Sequence, residues 1–319
     1  MTNIQQVRID IPARDGELLT GTHYVPASPS GTWLILSCAM AVPQRFYRHF
    51  AAHLAGRGHN VVTYDYRGIG ASRRGPVRGM ATTTSDWALL DMAGVVDWVH
   101  RAQRASRILL IGHSLGGQMA GLLDNAHHVD GMVTFSSQSG HWRLQGKGQK
   151  LAVLGHSYLT LPLLAHAFGY MPWSKLGSTE DIPKGAALQW ARWCRHPDYL
   201  LGDTTLPLER YREFRAPVLA YSFDDDAWGT ARSVDAMMRA YPSLERRHVV
   251  PQKVGLDRIG HFGFFRPEAA RIWDEVASWC DARAAEPRPA AGRSQSMEYA
   301  HGAAISPGQH AVTDLTASA

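Results

Sequence analysis

Short apolar runs alternate with segments of helical periodicity along most of the chain. In one such helical segment, Leu89, Met92, Val96 and Val99 recur every three or four positions. The short runs are rich in β-branched residues and predict strands, and the central ones are apolar on both faces, as in a parallel sheet covered by helices. The predicted strands are QQVRIDI, ELLTGTHYV, TWLILS, NVVTYDY, RILLIG, GMVTF, PVLAYSF and RRHVV. We therefore expect an α/β fold, with a mostly parallel sheet of these eight strands, helices on both faces and an opening hairpin around PARDG.

Two segments depart from this alternation. Residues 140–213 show no strand pattern, and a structureless loop of that length is improbable inside a compact domain, so we expect an inserted helical cap. Its tryptophans are Trp142, Trp173, Trp190 and Trp193. Residues 284–319 are rich in Ala, Pro, Gly and Ser without a sustained apolar period, which predicts a disordered tail. The domain itself is expected to span 1–283.

Part of the cap segment is apolar enough to raise the question of a membrane. Residues 151–173 are uncharged and about long enough to span a bilayer. Gly155, Pro162 and Gly169 interrupt this stretch, and soluble enzymes also carry apolar lids. We expect no integral membrane span, while association with a membrane surface stays open.

Composition and charge narrow the function classes. The chain has 319 residues, 45% of them hydrophobic, which suits one sizeable core. The net charge of +5 comes without a run of five Lys/Arg or zinc-finger spacing, so no nucleic-acid partner is expected. Cys38, Cys194 and Cys280 lack C-x-x-C spacing, and no metal cluster or dinucleotide glycine motif is present, so neither metal nor cofactor is expected. The N-terminus lacks a secretion-signal pattern, which favours a cytoplasmic location.

The candidate chemistry centres on GHSLGG, which follows the predicted strand RILLI. Gly112, Ser114 and Gly116 form the G-x-S-x-G pattern at a strand-to-helix junction. Glycines permit a tight bend that lifts the serine hydroxyl above the sheet edge, and the N-terminus of the next helix points N–H groups at the same place. A hydroxyl needs a base, an orienting group and oxyanion donors to act as a nucleophile. Ser114 is therefore the predicted nucleophile.

A second GHS triplet begins at Gly155. GHSYL lacks the second glycine and follows no strand, so we interpret Ser157 as a lid residue.

Taken in order, these motifs resemble the α/β-hydrolase superfamily, and are closest to a bacterial group of predicted capped serine hydrolases and esterases. The resemblance covers roughly residues 5–282. The motifs that carry it are VPQRFYRHFA from Val42, YDYRGIGAS from Tyr64, GHSLGG from Gly112 and RIGHFGFFR from Arg258. It implies an α/β-hydrolase fold and a triad in the chain order serine, acid, histidine. It also implies that YDYRGIGAS is a structural loop.

The resemblance places the base in a loop after the last strand. Of the 16 histidines, only His261 follows the last predicted strand and precedes the final helix. His113 adjoins Ser114, but neighbouring side chains at a bend diverge, so we expect it to pack or hydrogen-bond nearby. The acid follows PVLAYSF, where three aspartates are consecutive. We choose Asp225 by analogy with the family's Gly-x-x-Asp turn, with Asp226 as the rival.

The resemblance also implies two backbone donors for an oxyanion. One is the N–H of Leu115, after the nucleophile, and the other lies in the loop after the third strand. Family members often have His-Gly in that loop, whereas this chain has SCAMAVPQ. Met40 is our choice, with Ala41 as the alternative.

The function that follows is a serine hydrolase that cleaves a carboxylic ester, or a thioester or amide, through an acyl-enzyme. The aromatic and leucine-rich cap favours a small-molecule substrate with an apolar acyl group. An acyltransferase with the same triad, and a non-catalytic binding protein on the same fold, are the alternatives.

Overall fold

The computed structural model describes residues 4–176 and 180–287. All eight predicted strands form and join one sheet, which confirms the α/β class. Its strands are β1 (Gln5–Pro12), β2 (Leu18–Val25), β3 (Thr32–Ser37), β4 (Asn60–Tyr64), β5 (Arg107–His113), β6 (Gly131–Phe135), β9 (Val218–Phe223) and β10 (Leu244–Val249), and the short strands β7 (Tyr170–Met171) and β8 (Ile182–Pro183) pair separately.

Helices occupy most of the connections between strands from β3 onwards. The α-helices are α1 (Arg48–Gly56), α2 (Thr84–Asp86), α3 (Ala93–Arg101), α4 (Leu115–Met119), α5 (Gln149–Gly155), α6 (Leu161–Phe168), α7 (Lys184–Arg195), α8 (Arg210–Glu213), α9 (Ala231–Met238) and α10 (Trp273–Ala285). The π-helical segments Trp87–Met92 and His156–Thr160 join α2 to α3 and α5 to α6. Short 3-10 helices lie at Gln44–Tyr47, Gly70–Ser72, Ala120–Leu122, Ala126–His128, Trp142–Leu144, Trp173–Leu176, Tyr199–Gly202, Pro251–Val254, Gly263–Phe265 and Pro267–Ile272.

The strand order brings the loops of the site to one edge. The sheet runs β1-β2-β4-β3-β5-β6-β9-β10, antiparallel as far as β4 and parallel from there on. Every residue of β3, β4, β5, β6 and β9 is buried except Arg107, because helices cover both faces. In register, Ser37 pairs with Gly112, and Phe135 pairs with Tyr221. The carboxyl ends of four adjacent parallel strands therefore lie side by side.

The segment between β6 and β9 is mostly helical. It holds α5 to α8, and the pair β7–β8 is a strand element that its sequence pattern did not predict. The sequence predicted that Gly155 and Pro162 would interrupt this stretch. They do not, and the chain is helical throughout Gln149–Phe168. The wider π-helical turn ends at Thr160, two residues before Pro162, which lacks a backbone N–H donor. By length and composition this helix could cross a bilayer. Within the protein, 22% of an apolar 18-residue stretch of it is buried.

The end of the domain lies close to the predicted boundary. Helix α10 continues to Ala285, so the first two residues of the predicted tail are helical. Residues 288–319, on which the rest of that prediction falls, lie outside the described part of the chain.

The loop after β4 is held by buried charges, as a structural loop would be. Asp65 accepts hydrogen bonds from the backbone N–H groups of Gln44 (2.7 Å) and Ala71 (2.9 Å). Arg67 donates to the fully buried Asp91 through its Nε at 2.6 Å and its backbone N–H at 2.8 Å. The loop is therefore anchored to the core by carboxylates that have partners.

We expect Arg67→Met to reduce the free energy of unfolding by about 3–5 kcal/mol, since it leaves the buried Asp91 carboxylate without its cation. Arg45→Met is the matched control, because Arg45 is 71% exposed and its 3.3 Å pair with Glu180 contributes at most about 1 kcal/mol. Urea denaturation measures both. Equal losses in the two variants would contradict a structural role for Arg67.

Candidate active site

Ser114 sits on a strained bend between β5 and α4. Its backbone has φ 50° and ψ −113°, a conformation that residues other than glycine rarely adopt. Three hydrogen bonds hold the bend: the Ser114 N–H donates to Phe135 O (2.8 Å), and the N–H groups of Gly117 and Gln118 both donate to Ser114 O (3.2 Å each). The sheet and the helix together thus fix the position of this residue.

The glycines around Ser114 are required by close backbone approaches. A Cβ at Gly116 would lie 2.2 Å from the carbonyl oxygen of Ser37 in β3, and one at Gly112 would lie 2.4 Å from the Cα of Gly117. Such contacts are far shorter than atoms tolerate. The G-x-S-x-G pattern therefore reflects the packing of this bend against β3, at Gly116, and the close approach of β5 to α4, at Gly112.

The imidazole of His261 hydrogen-bonds to the carboxylate of Asp226. Its Nδ1 donates to Asp226 Oδ2 at 2.8 Å. Asp226 is 2% exposed and also accepts from Ser136 Oγ (2.7 Å), Trp228 N (2.9 Å) and Gly229 N (2.8 Å). Burial alone would raise the pKa of Asp226, but His261 and the donors from Gly229 and Ser136 hold it at about 2. The ionised carboxylate only accepts, so Nδ1 of His261 carries the proton of this hydrogen bond.

The prediction of Asp225 as the partner of His261 is wrong. Asp225 instead accepts from the backbone N–H groups of Ile259 and Gly260, both at 2.9 Å, and so holds the loop that carries the histidine. The chain turns after β9 so that Asp226, whose N–H donates to Phe223 O at 3.1 Å, points to the core. Gly229 makes room for this carboxylate, because a Cβ there would lie 2.4 Å from Asp226 Oδ2. Asp224, the first of the three aspartates, is exposed to solvent.

His113 hydrogen-bonds beside the bend, as the sequence indicated. Its Nε2 donates to His261 O (2.8 Å), and its Nδ1 accepts from the Tyr47 hydroxyl (2.9 Å). That hydroxyl oxygen in turn accepts from the Ala39 N–H (2.9 Å). Burial and the neighbouring His261 lower the pKa of His113 to about 3, so the ring stays neutral.

The structure brings Ser114 and His261 to one cavity without a hydrogen bond between them. In the described residues, the Ser114 hydroxyl has one partner, Gln138 Oε1 at 3.4 Å. Gln138 is 7% exposed and lies in the loop after β6. Sequence reasoning missed this residue because an amide carries no recognised motif.

Met40 and Ala41 both line the same cavity, in a turn closed by a hydrogen bond from Val42 N to Ala39 O (3.2 Å). Ala41 has a left-handed backbone, with φ 57°. Leu115 is the first residue of α4, so its N–H has no partner within the helix. The assignment of oxyanion donors among these three residues stays a prediction.

The cavity itself has a volume of about 530 Å³ and mostly apolar walls. Residues of the predicted cap supply much of this lining: Val153, His156, Ser157, Leu161, Trp173, Trp190 and Cys194. Such a volume accommodates a small organic molecule. No group of three or more His, Cys, Asp or Glu suited to a metal ion occurs within the described ranges.

A model of the alpha/beta hydrolase family matches residues 25–271. The chain belongs to the alpha/beta hydrolase family. The matched range of this hydrolase runs from the end of β2 to the last 3-10 helix and contains Ser114, Asp226 and His261.

Solved structures share the fold of this hydrolase at low identity. The esterase domain of a Rhodothermus marinus protein is 19% identical, with a TM-score of 0.56 over 88% of this chain and 98% of that one. The esterase EaEST from Exiguobacterium antarcticum is 15% identical, with a TM-score of 0.57 over 86% and 100%. Among sequences, "Putative carbamate hydrolase RutD" from Variovorax paradoxus (strain S110) is 31% identical over 121 residues, which are 37% of this chain. The match spans 42% of that relative's length.

We expect acid to destabilise the hydrolase through His113. A folded pKa near 3, below the usual 6.5, gives stability that is present above pH 6.5 and lost as the pH falls towards 3. Between pH 7 and pH 5 the wild type should lose about 2 kcal/mol more unfolding free energy than His113→Gln, which cannot titrate there. Urea denaturation at the two pH values measures this difference. Parallel losses in both proteins would show that His113 is not the buried neutral group described.

Proposed function

We propose that the chain is a serine hydrolase that cleaves a carboxylic ester, with Ser114 as nucleophile, His261 as base and Asp226 as the acid that orients it. The observation that carries this proposal is the 2.8 Å contact between His261 Nδ1 and Asp226 Oδ2, made beside the cavity that the strained Ser114 lines. Family membership and the esterases that share the fold support hydrolysis as the reaction class.

The proposed reaction begins with a rotation of the Ser114 hydroxyl. At rest the Ser114 hydroxyl donates to Gln138, so it must turn towards Nε2 of His261 before it can lose its proton. The oxygen then attacks the ester carbonyl while Nε2 takes the proton, and Asp226 stabilises the resulting imidazolium. Collapse of the tetrahedral intermediate expels the alcohol, which receives that proton. Water then attacks the acyl-enzyme by the same route and releases the acid.

The oxyanion of the tetrahedral intermediate needs donors that are already in place. We assign this role to the N–H groups of Leu115 and Met40, with Ala41 as the alternative to Met40. Backbone donors suit this task because their positions are fixed by the bend after β5 and the turn after β3.

An apolar acyl or aromatic group is the proposed substrate feature. The walls that support this choice include Trp173, Trp190 and Trp228. The carbamate hydrolase name of the matching relative makes carbamates and amides the other compounds to test. Transfer to an alcohol or amine acceptor would identify an acyltransferase with the same triad, so both acceptors belong in the assay.

We expect a fluorophosphonate probe to label the wild type and not Ser114→Ala, because the probe captures only an activated serine. Ser157→Ala is the matched control: Ser157 lines the same cavity and belongs to the second GHS triplet, but its hydroxyl donates to Leu154 O at 3.1 Å. Mass spectrometry of the intact protein measures the labelling. Labelling that survives in Ser114→Ala, or that is lost in Ser157→Ala, would contradict the assignment.

We expect Asp226→Asn to lower kcat for a short-chain ester about 10³- to 10⁴-fold, because the amide favours the wrong tautomer of His261. Asp225→Asn should lower it about tenfold or less, because it weakens only the anchoring of the histidine loop. Steady-state kinetics on both purified variants give the ranking. A larger loss in Asp225→Asn would make Asp225 the acid.

A further inference from the structure

The helix of the predicted cap exposes a band of large apolar side chains to solvent. Leu151 is 75% exposed, Leu159 64% and Leu163 59%. We define the cap face as the surface formed by six exposed side chains: Leu151, Tyr158, Leu159, Leu163, Phe168 and Leu176. These are six of the nine large apolar side chains that are exposed in the described part of the chain, and scattered exposure would not concentrate them in one segment.

The cap face lies opposite the side of the helix that packs on the protein. Val153, Ser157, Leu161 and Ala165 are buried at helical spacing, and the first three line the cavity of Ser114. Only 22% of an apolar 18-residue stretch of the helix is buried, whereas a core helix is buried for most of its length. One side of the helix thus serves the cavity and the other faces solvent.

The charges around the cap face are mostly positive. Residues 140–176 contain Arg143, Lys147, Lys150 and Lys175 and no Asp or Glu. Arg195 lies over the ring of Tyr158 at 5.3 Å, and among the described residues the one acidic side chain that an observed contact places beside the segment is Asp181, which accepts from the Ser174 N–H at 2.9 Å. Lys175 lies over the ring of Phe168 at 5.4 Å, and its charge therefore sits beside the apolar band. Apolar side chains flanked by cations are the combination that attaches a helix to an anionic lipid surface.

We propose that the cap face docks on the surface of a bilayer that contains anionic phospholipid. The apolar side chains enter the boundary between headgroups and acyl chains, and the lysines lie at headgroup level. A second copy of the chain fits less well, because a symmetric contact through the cap face would bring like charges together. The helix lies on the membrane and does not span it, since its other side packs on the protein. Docking does not depend on the chemistry at Ser114.

Vesicle flotation tests this proposal with the full chain. Phosphatidylcholine vesicles with and without phosphatidylglycerol are compared, and we expect binding to the anionic vesicles that weakens as salt is added. The triple variant Leu151→Gln, Leu159→Gln, Leu163→Gln should bind at least about tenfold more weakly. Its control is Leu18→Gln, which changes an exposed leucine of β2 and should bind like the wild type.

A second pair of variants tests the charges. Lys147→Gln and Lys175→Gln should each weaken binding about fivefold on anionic vesicles, since one surface charge contributes about 1 kcal/mol there. Lys253→Gln, an exposed lysine outside the cap, should not. These variants also carry the test if the triple variant fails to fold. Ser114→Ala should bind like the wild type, which separates docking from the proposed hydrolysis.

Three results would overturn the proposal. The first is that the wild type floats with neither kind of vesicle. The second is binding that the leucine and lysine variants leave unchanged. The third is a dimer, seen by sedimentation velocity, that the leucine variants dissociate, because the cap face would then bind a second copy of the chain.

Discussion

Three hydrogen bonds through two buried side chains connect the loops on which the site is built. The Ala39 N–H donates to the Tyr47 oxygen, the Tyr47 hydroxyl donates to His113 Nδ1, and His113 Nε2 donates to His261 O. A backbone N–H at one end can only donate and a carbonyl at the other can only accept, so every direction in between is fixed. These directions require the His113 ring to stay neutral in a single tautomer, and its burial keeps it neutral. The loop after β3, the bend after β5 and the histidine loop are thus held in one arrangement.

The sheet supplies the frame for this arrangement. Four adjacent parallel strands end at one edge, so residues distant in sequence meet there without long side chains. The strained backbone of Ser114 persists because β6 and α4 both hydrogen-bond to it and because Gly116 allows contact with β3. Strain at this point is balanced by the surrounding packing, which is typical of functional residues in rigid scaffolds.

The sequence predicted the frame better than the details of the site. Apolar runs located all eight strands because burial on both faces leaves a pattern that does not depend on neighbours in space. The choice between Asp225 and Asp226 failed because a turn of one residue decides which carboxylate faces the core, and three consecutive aspartates give no periodicity. The helix through Pro162 was missed because a π-helical turn before the proline depends on tertiary packing. Gln138 was missed because its contact with Ser114 arises only when β5 and β6 lie side by side.

The turn after β9 divides two tasks between neighbouring carboxylates. Asp225 binds the backbone of the loop that carries His261, and Asp226 binds the imidazole itself. The location and the tilt of the ring are therefore coupled to the same short stretch of chain. Inserting or deleting one residue there would shift both carboxylates and disturb both contacts at once, whereas a single substitution disturbs only one of them.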